Sequence, residues 1–313
     1  MILLCGEALI DLVPVVADGQ LAYAPRTGGS PYNVALGIGR LGVPVGFFGR
    51  VSRDPFGQSL HERLASEGVD CSLVRRGDEP TALAIVHLSP GQEPNFVFYG
   101  DGAADCTLSQ DDLPTPDELG GATSALHFGS ISLVREPGAT VYEQLMRREA
   151  GSRVISLDPN VRPGLISDRA AYRRRFEGWV AMADIVKVSQ VDLAWLYPDR
   201  PPADAARDLL DSGPSLVAMT RGAAGAIGIT ATGTVDEPGT PVAVRDTVGA
   251  GDAFTAGLLG FLALRGVLNR KALRSLGEED LRPCLVLANR AASITCTRSG
   301  AQPPTRAEVL SGS

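Results

Sequence analysis

The chain has 313 residues, 44% of them hydrophobic and 21% charged, with a formal net charge of -7. That length can bury a sizeable core, as one α/β domain or as a large domain with a small attachment, and the acidic balance argues against a nucleic-acid surface. No apolar run approaches the ~20 residues that span a bilayer, and five scattered cysteines without a CxxC pair argue against a disulfide framework or a thiolate zinc site, so buried, reduced thiols in a cytoplasmic protein are expected.

The N-terminus, Met1-Ile2-Leu3-Leu4-Cys5-Gly6-Glu7, has no basic n-region and reads as a first strand rather than a signal peptide. Asp11 closes this first strand region, either as an acceptor for ligand hydroxyls or as a solvated turn aspartate. Leu12–Ala24 and Thr81–Tyr99 are strand-like and detached from the main alternation of strands and helices; the second is broken by a turn at Ser89-Pro90-Gly91-Gln92-Glu93. These two segments are expected to pair as a small sheet over the main domain, a lid. Phe96, Phe98 and Tyr99 either shape a pocket beneath it or fill its interface.

Between them, Thr27-Gly28-Gly29-Ser30-Pro31-Tyr32-Asn33-Val34-Ala35 is a glycine turn opening a helix at Pro31–Leu41. It suits close backbone approach to a polyol, with Asn33 offering donor and acceptor, and equally a tight turn capped by Ser30. Gly37–Gly42 matches GxGxxG but lies late in that helix rather than between strand and helix, so packing of small residues is its expected role.

From Ala125 onward, buried strands are expected at Ala125–Gly129, Val154–Asp158, Ile185–Ser189 and Leu216–Arg221. Helices are expected at Ala139–Ala150, Tyr172–Ala183, Ala203–Ser212, about Asp252–Arg265 and Leu281–Thr297. Strands alternating with such helices imply a parallel sheet with crossover helices. Ligands of such sheets sit beyond the carboxyl ends of the strands. That singles out Asp158-Pro159-Asn160-Val161-Arg162, Lys187 with Ser189 and Asp192, and Thr220 with Gly222 and Gly225. Arg162 presents a fork of donors suited to phosphate or hydroxyls, and each group is otherwise a connecting turn or surface pair. His61, His87 and His127 show no ligand spacing.

The strongest signal is Asp246-Thr247-Val248-Gly249-Ala250-Gly251-Asp252 running into Ala253-Phe254 and an apolar helix. Unpaired N–H groups at the positive end of a helix make an anion site. A carboxylate there makes chemical sense if it deprotonates a hydroxyl that attacks phosphorus. No GxxxxGK[ST] loop is present, so a nucleotide would bind another way.

These motifs, with Leu41-Gly42, Thr220-Arg221-Gly222 and Asn289-Arg290-Ala291-Ala292-Ser293, resemble the ribokinase-like carbohydrate kinases, and among them most closely the fructokinases. The resemblance covers nearly the whole chain. It implies an α/β sandwich with a mostly parallel central sheet flanked by helices and a small β-lid, with 1–11, 28–79 and 104–313 as the large domain and 12–27 and 80–103 as the lid. It implies ATP-dependent phosphorylation of a sugar, with Asp252 as base and the N–H groups of Gly249, Ala250 and Gly251 on the transferring phosphoryl. Asp11, Gly28, Gly29, Asn33, Phe98 and Arg162 would face the sugar. Asn160, Lys187, Ser189, Thr220, Gly222, Gly225, Gly249, Gly251 and Asn289 would line the nucleotide site. Mg²⁺ would accompany ATP, and backbone carbonyls near Asp246, Val248, Arg298 and Gly300 would hold a monovalent cation, K⁺ for example. The resemblance also implies a homodimer through the lid. One departure is visible: the family carries Asn-x-x-Glu where this chain has Ser189 and Asp192, and the shorter acid reaches Mg²⁺ only through water. Kinases of the same family acting on 2-keto-3-deoxygluconate, ribose or a nucleoside are the nearest rivals. A non-catalytic sugar or nucleotide sensor and, from Gly37–Gly42, a dinucleotide oxidoreductase are more distant.

Overall fold

Alternate residues of the first strand enter two separate apolar cores, Ile2 and Leu4 on one side, Leu3 and Cys5 on the other. This is what the two-residue period of a strand buried on both faces requires. The structure is a computed structural model that describes residues 1–87 and 95–311. Its strands are β1 (Ile2–Cys5), β2 (Leu9–Ala17), β3 (Gln20–Gly28), β4 (Val45–Ser52), β5 (Val74–Gly77), β6 (Leu83–His87), β7 (Asn95–Tyr99), β8 (Ala125–Gly129), β9 (Val154–Asp158), β10 (Ile185–Ser189), β11 (Leu216–Thr220), β12 (Ala226–Thr230) and β13 (Gly233–Glu237). Its helices are α1 (Ser30–Arg40), α2 (Pro55–Ser66), α3 (Pro116–Leu119), α4 (Gly138–Glu149), α5 (Arg169–Met182), α6 (Gln190–Leu196), α7 (Pro202–Asp211), α8 (Ala250–Leu264), α9 (Arg270–Arg274), α10 (Glu278–Cys296) and α11 (Arg306–Leu310).

Among the described residues, nine strands form a central sheet in the order β13-β12-β11-β10-β9-β8-β1-β4-β5. It is parallel from β11 to β5 and antiparallel only where β12 and β13 return as hairpins. Side chains of α1, α8 and α10 fill the core on one face, and those of α4 to α7 fill the other. The strand and helix expectations after Ala125 agree with these elements to within three residues, but the β12–β13 hairpin and the short helices α6, α9 and α11, too short to show a period, are not among them.

A second sheet, in the order β3-β2-β6-β7, stands apart from the first. Leu12–Ala24 is not one strand. β2 and β3 pair antiparallel, turning at Asp18 and Gly19, which both have positive φ. Asp11 consequently lies within β2, opposite Arg26 and Ala84, rather than at the end of the first strand. The turn expected at Ser89–Glu93 lies outside the described residues. Of the cysteines, Cys5, Cys106 and Cys284 are buried, but Cys71 and Cys296 are only half-buried, and all five are free thiols.

Helix α8 carries the Asp252 segment. Residues 252 to 262 are all buried, so the helix is apolar around its circumference, as a helix enclosed by the core must be. A Cβ at Gly37 would sit 2.6 Å from the Ala256 side chain, so the GxGxxG-like stretch is where α1 closes on α8. Leu258 is fully buried in that layer. Leu258→Ala is expected to cost about 2–5 kcal/mol, read as a lower denaturation midpoint with an unchanged slope.

Candidate active site

The carboxyl ends of β1, β8 and β9, the start of α8 and the root of the second sheet converge on one cleft of about 830 Å³. Glu7, Ser130 and residues 160–165 line it from the central sheet, Asp11, Val97 and Phe98 from the second sheet, and Thr247–Gly249, Gly251 and Asp252 from the α8 turn. This is the crevice in which open α/β sheets hold ligands.

Asp252 is 8% exposed. The Ser30 hydroxyl donates to its Oδ1 at 2.7 Å and Asn33 Nδ2 donates to its Oδ2 at 2.8 Å. Among the described residues it forms no ion pair, the nearby Lys187 being paired to Asp158, and a carboxylate oxygen with one donor still has a lone pair to offer. Burial raises its carboxyl above the ordinary range, the Asn33 and Ser30 hydrogen bonds oppose that, and Asp158 adds repulsion that Lys187 partly relieves. Raised basicity with a free lone pair is what a proton acceptor needs. Beside it, Asn33 Oδ1 is buried with no partner among the described residues, an acceptor facing the need for a donor.

The turn ahead of α8 depends on Gly249, whose φ of 77° and 2.5 Å approach of a notional Cβ to Ala301 admit only glycine. Below Gly251 lies Lys187, 4% exposed, paired to Asp158 at 2.8 Å. Burial works against the lysine's charge, but Asp158 and Asp192 outweigh it and hold its pKa above the ordinary value. Lys187 is thus a counter-charge beneath the turn rather than a group open to a nucleotide.

Asp11 is half-buried and reaches the cleft from the second sheet. A Cβ on Gly28 would fall 2.2 Å from Asp11 Oδ2, so only a hydrogen leaves room for the carboxylate. Burial, then the charge of Asp252, push its pKa up to about 7, with Arg162 opposing and Glu7 adding. Arg162 Nη1 donates to Asn160 Oδ1 at 2.7 Å and to the Asn160 and Val161 carbonyls. Asn160 has φ 38°, so the Asp158–Arg162 turn aims the guanidinium at the cleft by its own backbone.

Glu7 belongs to the site although no sequence motif singles it out. It is buried, and its carboxylate accepts the Ser30 N–H at 3.0 Å and the Ser132 N–H at 3.2 Å, fastening the Gly28–Ser30 turn to the loop after β8. Its one legible signal is a charge directly after an apolar strand.

The expected nucleotide set divides. Asn160, Gly249 and Gly251 line the cleft. Ser189 and Asp192 form a capping box on α6, and Asp192 also accepts the Val161 N–H at 2.9 Å, so both of its oxygens are engaged and Ser189 is spent on the helix. Thr220, Gly222 and Gly225 sit on the turn between β11 and β12, away from the cleft lining. Gly225 abuts the Glu237–Gly239 backbone, and Asn289 donates to the Glu237 and Pro238 carbonyls, so both touch one segment. At the cation candidates, Asp246 accepts the Val248 N–H at 3.0 Å and the Gly300 N–H at 2.7 Å, drawing the two loops together. The Arg298 side chain turns away to Glu308 and the Gln302 and Pro303 carbonyls. Among the described residues no cluster of three acidic, histidine or cysteine side chains is placed to hold a metal. His127 is buried against the Ser156 hydroxyl, and burial lowers its pKa to about 3, a structural histidine.

The sequence profile of the pfkB family carbohydrate kinases matches residues 1–308. A fructokinase of Rhizobium leguminosarum bv. trifolii is 43% identical over 90% of this chain and 86% of its own length. The fructokinase of Xylella fastidiosa with bound ATP superposes with a TM-score of 0.90 at 31% identity, covering 99% of this chain and 97% of that one. A fructokinase double mutant of Vibrio cholerae O395, in its fructose-, ADP- and potassium-bound form, superposes with a TM-score of 0.86 at 29% identity over 99% and 97% of the two chains.

The clustered acids have a consequence for stability. Asp11 holds its proton more tightly in the folded chain than in the unfolded one. Its contribution is therefore fully present below the unfolded carboxylate range and is lost as pH rises through about 7. Asp11→Asn is expected to melt higher than the parent at pH 8, with the gap closing towards pH 4. A gap independent of pH would contradict this placement of the charge.

Proposed function

The chain belongs to the pfkB family of carbohydrate kinases, and we propose that it is an ATP-dependent fructose kinase in which Asp252 is the general base. The observation that carries the reading is a buried carboxylate of raised basicity, fixed between Ser30 and Asn33 in the first turn of a buried helix. The fructokinases at 36–43% identity support fructose as the acceptor, as do the solved fructokinases with ATP, or with fructose and ADP.

The sugar occupies the cleft under the second sheet. Asp11 and the unpartnered Asn33 Oδ1 accept from its hydroxyls, Arg162 donates to them, and Gly29 allows close approach. Asp252 takes the proton of the attacking hydroxyl as that oxygen moves onto the γ-phosphorus. The bond from phosphorus to the leaving oxygen of ADP breaks in the same displacement. Negative charge on the transferring group is met by the N–H groups of Gly249 and Gly251 and by the positive end of α8, the Ala250 N–H being spent on the Thr247 carbonyl at 3.2 Å. Lys187 beneath Gly251 adds positive potential from below. Most of the rate gain comes from positioning and fixed electrostatics.

The nucleotide extends from the Gly249 turn towards Gly225 and Asn289. Asp192 is committed to its own helix and to Val161, so Mg²⁺ would ride on the nucleotide's own phosphates, whose charge it offsets when bound. The Asp246-linked loops, with carbonyls from two chain segments held together, fit a monovalent cation such as K⁺.

The second sheet serves as the lid that excludes water. Its outer face carries Val16 and Leu21, 80% and 69% exposed and directly paired across β2 and β3, together with Tyr23 and Tyr99. Exposed apolar side chains gathered on one face favour a partner surface, and a homodimer through the lid is the reading they support. No helix among the described residues is long and apolar enough to cross a membrane, and the free thiols suit a cytoplasmic location.

Asp252→Asn is expected to keep ATP and fructose affinity within a few-fold while kcat falls by about 10²–10⁴, measured by coupled ADP release alongside calorimetric titration. Near-parental turnover would remove Asp252 from the role of base.

A further inference from the structure

A second cavity, of about 760 Å³, opens at the other end of the central sheet. Its floor is the amino ends of β8 and β9, with Ser124, Ser152, Arg153 and Val154, and its rim is the start of α9. Val154 lies four residues before Asp158, so about 13 Å of strand separates this floor from the catalytic cleft at roughly 3.3 Å per residue.

Four cationic side chains line the cavity, Arg153, Arg270, Lys271 and Arg274, and no acid among the described residues does. On a chain of net charge -7 that is a local inversion of sign. Two of the four are built into the fold. Arg153 Nε donates to Glu149 at 2.8 Å and Arg270 Nε to Asp184 at 2.8 Å, and both acids are buried. Further bonds to the Thr123 and Gly151 carbonyls fix each guanidinium to the cavity wall. Asp184 also accepts the Ile155 N–H, so Arg270 is anchored to β9 itself. Lys271 and Arg274 have no acidic partner among the described residues. Fixed guanidinium groups beside free cations, in a concave site large enough for a small organic ligand, match an anion of high charge density.

We propose that this rear cavity is a binding site for a phosphate-bearing small metabolite, separate from the catalytic cleft. Charge selects the anion, and the cavity's volume favours an organic phosphate over a bare ion. The inference does not rest on the kinase reading, since binding is measured directly.

The test uses the full chain and inorganic pyrophosphate as probe, titrated calorimetrically into the parent protein and into K271E/R274E. The expected result is a binding component in the parent that weakens by at least about tenfold in the variant, as loss of two close opposite charges requires, with kcat and KM for fructose and ATP unchanged. If the charge reversal impairs folding, K271A/R274A takes its place with a smaller loss in the same direction. Identical isotherms for parent and variant, or pyrophosphate binding confined to a component both retain, would overturn the proposal.

Discussion

A carboxylate taken out of water either finds hydrogen-bond donors or gives up its charge, and the local architecture reflects how Asp252 resolves this. Two neutral donors, Ser30 and Asn33, hold it, whereas a cationic partner would have made it a far weaker base. Both donors stand in the first turn of α1, and Glu7 fixes that turn from below through the Ser30 N–H. The helices α1 and α8 therefore meet at their amino ends, and the closeness of Gly37 to Ala256 is the packing that keeps them there.

Around this point the charges are arranged to keep acids basic. Asp252, Asp11 and Glu7 all have raised carboxyls, with burial as the largest cause of each. Of the counter-charges, Lys187 is locked to Asp158 behind the turn, while Arg162 lines the cleft with its guanidinium held by the Asn160 and Val161 carbonyls. The cleft thus stores unfavourable electrostatics, as active sites do, and the rigid apolar layers of α1, α8 and α10 offset the cost.

Much of this is legible in the residue order. Glycine, aspartate and an apolar run at 249–264 reveal the helix and its acid, and the short apolar runs of β8 to β11, spaced by helices, reveal a parallel sheet. The features that escape a sequence reading depend on long-range pairing. The separate small sheet is anticipated by the detached stretch Leu12–Ala24, but nothing near Asp11 discloses that its first strand already begins at Leu9 and so brings the carboxylate to the cleft beside Gly28. Ser189 and Asp192 read as ligand groups because capping and ligand binding call for the same residue types, and only the bond from Val161 separates the two. Asn289 and Gly225, 64 positions apart, share the Glu237–Gly239 backbone through a hairpin whose short strands give no period to detect.

The most direct test is a crystal structure with fructose and a non-hydrolysable ATP analogue bound together. One fructose hydroxyl is expected within hydrogen-bond reach of an Asp252 carboxylate oxygen, about 2.6–3.2 Å, with the terminal phosphate against the Gly249 and Gly251 N–H groups. A sugar whose hydroxyls all lie beyond that reach, with Asp252 still closed on Ser30 and Asn33 alone, would contradict the assignment of Asp252 as the base.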